Sequence, residues 1–163
     1  MPRNITPIDS LSPSEIRVTG LVALGLTGGE IAVKLRLAKG TVDSQLRHAQ
    51  QKMVVTDRAC LIHRCYVREQ LPRPRRIEPS QQADAADAEL LRFLAFGADY
   101  AEMAQRNSHE MSQHGAKTRI KRLREMWGAR NDAHLITCGW EFGLLDESTT
   151  APGLADDQPV RIR

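Results

Sequence analysis

Five cations crowd one short stretch of the chain: Lys117, Arg119, Lys121, Arg122 and Arg124, with Glu125 the only acid beside them. Guanidinium and ammonium groups at that density suit phosphate oxygens and the acceptor edge of guanine. A basic run on a helix is also an ordinary solvated face, so the elements around it must decide its meaning. Cys60, His63 and Cys65 form a second group of chemically able residues. On one helix that spacing does not converge three ligands, and no fourth ligand is evident, so no metal is expected. There is no Ser-His-Asp set, no paired-carboxylate motif and no phosphate loop. Gly25 and Gly28-Gly29 read as helix punctuation. Neither an enzyme nor a cofactor is expected.

Composition narrows the partner. The 163 residues carry a net charge of +3 and 41% apolar residues, enough for real cores, but only 4% aromatics. Stacking on unpaired bases is therefore a poor expectation. Residues 1–70 hold ten Lys/Arg against six Asp/Glu. No apolar run approaches a membrane span, and no secretory signal is read at the N-terminus. Three cysteines show no disulfide framework. A cytoplasmic, nucleoid-associated protein without membrane contact is expected.

The patterning predicts helices throughout. Ser12-Pro13-Ser14-Glu15 is a helix start in which Ser12 caps and Glu15 returns the bond. Gly25 stops that helix. Thr27–Glu30 is a second capping box opening a short helix with Ile31, Ala32 and Leu35 on its apolar side. A third helix runs from Lys39 to Met53, with Val42, Leu46 and Ala49 facing inward. Thr56 is expected to cap a fourth, 57–70. Pro72, Pro74 and Pro79 then break the pattern, with Arg73, Arg75 and Arg76 between them. The pattern returns after Ala88. Asp99–Glu102 stands 72 positions after Thr27–Glu30, and Ala133, Leu135 and Ile136 stand 74 after Ala59, Leu61 and Ile62. The repeat thus gains two residues around 107–113. Asn131 is expected to cap its last helix.

Leu11, Glu15, Gly25, Leu26, Glu30-Ile31-Ala32, Leu35, Leu37, Gly40-Thr41-Val42, Leu46, Lys52-Met53 and Arg58-Ala59 together resemble the LuxR/GerE-type helix-turn-helix family. The resemblance covers residues 11–62; a divergent second copy, 90–145, keeps the skeleton with Gly115-Ala116 in place of Thr-Val. It implies an all-α chain of two tandem four-helix domains, 1–71 and 88–145. A Pro/Arg-rich linker, 72–87, joins them, and a disordered tail, 146–163, follows.

The family reads DNA with its third helix. Carried over by position, the base-facing residues are Asp43, Ser44 and Arg47 in the first copy, and Lys117, Thr118 and Lys121 in the second. Thr41 and Lys52 are expected on the phosphate backbone. Lys39, His48, Arg119, Arg122 and Arg124 complete the candidate set. Asp43 stands where the family usually has Lys, which weakens the electrostatics of the first copy. The implied function is a sequence-specific regulator of transcription that grips duplex DNA as a covalent pseudo-dimer. Its linker would act as a flexible coil spanning roughly 25 Å. Homodimerisation through the fourth helix of one copy, and contact with RNA polymerase, are further implied partners. The alternative is an interaction module in which only one copy binds DNA.

Overall fold

The computed structural model describes residues 10–152. Those residues form eight helices and no strand: α1 (Pro13–Ala23), α2 (Gly28–Leu35), α3 (Lys39–Met53), α4 (Arg58–Val67), α5 (Ala85–Ala95), α6 (Tyr100–Arg106), α7 (Gln113–Trp127) and α8 (Asp132–Glu141). Residues 1–9 lie outside the described residues, as do 153–163 of the tail expected over 146–163; residues 146–152 are described, with Asp146 N donating to Thr149 Oγ1 and Ser148 N to Asp146 Oδ1.

Local chemistry sets the helix starts. Ser12 accepts from the Glu15 amide while Glu15 accepts from the Ser12 amide, and Thr27 and Glu30 repeat the exchange. Asp84 and Asp87 make a third such box for α5. Asp99 caps α6 through the Glu102 amide, without the returning bond expected of it. The cap of α4 is Asp57, not Thr56: its carboxylate accepts from Cys60 N at 2.8 Å. A side chain at the cap position reaches the third helical amide, whereas one a residue earlier does not. Gly25 and Gly97, 72 positions apart, end α1 and α5 at φ +88° and +78°, a region that suits glycine.

The α3 face expected inside is inside: Val42, Leu46, Ala49 and Met53 are buried. Ala116, Ile120 and Leu123, each 74 positions after one of the first three, are buried on α7. Asn107 secures the two-residue enlargement before α7 by donating to Met103 O, Ala104 O and Met111 O.

Packing between the halves centres on α4 against α8. Tyr66 Oη lies 3.1 Å from Thr137 Oγ1, Trp140 Nε1 donates to His63 Nδ1 at 3.0 Å, and the Tyr66 and Trp140 rings stand 5.3 Å apart. Thr137 also donates to Ala23 O at 2.7 Å, and Asn131 donates to Gly25 O at 2.9 Å. Buried polar groups need such partners, because an unpaired one costs about 1–3 kcal/mol.

Three expectations are corrected here. The flexible linker is an extended strap: Arg73 Nε donates to Tyr66 O, Ile77 N donates to Glu141 O, and the Arg73 guanidinium lies over the Trp140 ring. The last turns of α4 and α8 run out of i+4 donors; Tyr66 O accepts from Glu69 N at 3.2 Å, and the strap adds donors at both helix ends. The helix after it also begins earlier than expected, at Ala85. The face of the fourth helix assigned to a second copy of the chain is covered by α8 of the same chain.

Candidate nucleic-acid interface

The third helix of each half turns one side to the core and the other to solvent. On α3, Lys39, Thr41, Asp43, Arg47 and His48 are exposed and Ser44 is half-buried. On α7, Lys117, Thr118, Lys121 and Arg122 are exposed, while Arg119 and Arg124 are half-buried. The sequence-expected residues therefore lie on one helix per half, as an amphipathic helix with a buried stripe requires.

Their charges are unequal in availability. Lys52 Nζ sits 2.9 Å from the buried Glu15 carboxylate and 3.2 Å from Ser10 O, so it ties α3 to the start of α1. Burial alone would raise the Glu15 carboxyl, but the Lys52 ammonium and the Ser12 amide bring it below the usual range. Asp43 Oδ1 lies beside Gly28, 3.6 Å from where a β-carbon would stand. That is the amide-rich start of α2, which favours a carboxylate.

On α7 the cations expected to meet only Glu125 meet three other acids. Arg119 Nη1 reaches Asp84 at 2.9 Å and Asp87 at 3.0 Å, Arg122 Nη2 reaches Asp87 at 2.8 Å, and Arg124 Nη1 reaches Asp132 at 3.0 Å. The Arg119 guanidinium lowers the Asp84 carboxyl, and the two carboxylates raise Arg119 in turn. Sequence reading missed these acids, although Asp84-x-x-Asp87 carries a capping pattern. Only the fold brings the start of α5 beside α7. Lys117 and Lys121 make no ion pair among the described residues.

Cys60 and Cys65 are buried free thiols pushed up to about 12 by burial, and His63 accepts from Trp140. Among the described residues no cluster of His, Cys, Asp or Glu could hold a metal ion, and no helix is long and apolar enough to cross a membrane.

No curated protein and no solved structure matches the chain. Residues 9–65, the segment that holds α1, α2, α3 and most of α4, match the GerE family model, described as bacterial regulatory proteins of the luxR family.

Proposed function

We propose that the chain is a sequence-specific, double-stranded DNA-binding regulator of transcription in the bacterial cytoplasm. Two helix-turn-helix halves, joined by the 72–84 strap, act as a covalent pseudo-dimer. The observation that carries the reading is the exposed polar side of α3, within the segment that matches the luxR family. Thr41, Ser44, Arg47 and His48 there are the side chains such a helix offers to a groove.

The second half supports a duplicated reader. Its helices follow in the same order, and their buried positions recur at offsets of 72 and then 74. Contacts across α4 and α8 are reciprocal, as in an isologous interface. A chain that closes this interface on itself has no need of a second copy. The exposed residues differ between the halves, Asp43, Ser44 and Arg47 against Lys117, Thr118 and Lys121, so the operator is asymmetric.

Selection of bound sequences from random duplexes, followed by mobility-shift titration, tests the reading. A site with two unlike halves supports it. No retention of any duplex at low ionic strength defeats it. The ion pairs on α7 and the position of Asp43 favour a second reading, in which one half reads DNA and the other serves as a brace. A site of one half-length selects that alternative.

A further inference from the structure

The interface between the halves is closed on one side and open on the other. On the closed side Gly25 is buried beneath Arg130 and His134, and Asn131 accepts from the His134 amide while donating to Gly25 O at 2.9 Å. The equivalent of Gly25 is Gly97, 72 positions on, and the equivalent of Asn131 is Asp57, 74 positions back. Gly97 is exposed. Asp57 Oδ1 caps α4 as Asn131 caps α8. Its Oδ2, 2.9 Å from where a Gly97 β-carbon would stand, is a carboxylate oxygen with no hydrogen to give. The donor that joins the halves on one side is missing on the other.

A cleft of about 530 Å³ opens there, with Asp57 and Gly97 in its wall and Val22, Leu94, Ala98 and Met103 among its apolar lining. That volume suits a small molecule. Its charge is one-sided. Asp57, Asp99 and Asp132 line it, Arg124 is paired with Asp132 at 3.0 Å, and the Arg58 guanidinium ends against Gly28, outside the lining. Asp57 and Asp99 cap helices and make no ion pair among the described residues. Where the first half has Arg58 the second has Asp132, so the second half brings a carboxylate to this side in place of a cation. Burial, and then the Asp132 charge, raise the Asp57 carboxyl against the pull of the Cys60 and Ala59 amides. That is the behaviour of a carboxylate short of a counter-charge.

We infer that this cleft binds a small organic cation, a primary ammonium on an apolar body, with the ammonium on Asp57 and the body on Leu94, Ala98 and Met103. The ammonium supplies the donor that Asn131 supplies on the closed side. Its three hydrogens allow a second bond to the Gly97 carbonyl, the counterpart of Gly25 O, which accepts no hydrogen bond among the described residues. Neither the family match nor the third helices assign such a site. Because both halves line it, its occupant bridges them.

Amide resonances of the full chain at neutral pH, titrated with 2-phenylethylamine and separately with phenylacetate, test the inference. The amine at millimolar concentration is expected to shift Leu94, Gly97 and Ala98 saturably, and the acid is not. Asp57→Asn keeps a competent cap for α4 and brings its own donor, as Asn131 does. It is expected to fold like the parent and to weaken the amine at least tenfold. Ala98→Phe, which fills the opening, is expected to abolish the response while the remaining resonances keep their positions. Equal response to amine and acid, undiminished binding by folded Asp57→Asn, or no saturable shift in the wild-type chain would overturn it. The titration contains no DNA, so its failure leaves the DNA reading standing, and failure of the mobility shift leaves the cleft untouched.

Discussion

Tyr66 and Trp140, 74 positions apart, face each other at 5.3 Å, and each hydrogen-bonds the residue three places before the other. Tyr66 bonds Thr137 and Trp140 bonds His63. This reciprocity is what a two-fold interface produces, here within one chain. It predicts a monomer at micromolar concentration in sedimentation equilibrium. A stable dimer would show that the α4–α8 surface is not the closed interface it forms here.

Thr137→Val keeps the shape of the side chain and removes both of its hydrogen bonds. The Tyr66 hydroxyl and the Ala23 carbonyl then lose a buried partner. A loss of about 1–3 kcal/mol in denaturant unfolding is expected, with an unchanged denaturant slope. An unchanged midpoint would mean that water replaces the lost partner.

His63 makes folding pH-dependent. Burial lowers it from 6.5 to about 4, so the folded protein holds it neutral while the unfolded chain takes up a proton below about 6.5. Its contribution is complete above that pH and is lost as pH falls toward 4. The full effect is about 3 kcal/mol. His134 shifts in the same direction, again through burial, so the comparison must be with a variant. His63→Gln retains an acceptor for Trp140 and should flatten the stability profile between pH 6.5 and 4. Parallel profiles would remove His63 from the account.

Asp84→Asn keeps the cap of α5 and removes one carboxylate from Arg119. If the α7 guanidiniums face phosphate, DNA affinity rises. The slope of log affinity against log salt then steepens by up to about 0.9, one phosphate contact. An unaltered slope would place Arg119 away from the DNA backbone.

Arg47→Ala and Lys121→Ala should each weaken a selected duplex by about 1–3 kcal/mol, the range for a base-contacting cation, with little change in thermal midpoint. Lys52→Met should behave in the opposite way. It strands the buried Glu15 carboxylate, so stability falls by about 1–3 kcal/mol, while mobility-shift affinity of the folded fraction holds. The three variants together separate reading from scaffolding on the same pair of helices.

The sequence by itself determined the local elements. Spacing placed α3 at Lys39–Met53 with its inward face, because helical periodicity and turn chemistry are encoded within a few neighbours. The capping boxes at Ser12 and Thr27 and the 72-to-74 offset were legible for the same reason. The Asp57 cap was missed by one residue, since Thr56 and Asp57 are both competent and only backbone geometry chooses.

Tertiary structure alone decided everything that joins distant residues. Which acids meet Arg119, Arg122 and Arg124 depends on where α5 and α8 lie against α7. That the strap is fastened depends on carbonyls at two helix ends brought together by α4 and α8. No run of neighbours carries that information: a side chain 74 positions away becomes a neighbour only after the buried faces have chosen one another.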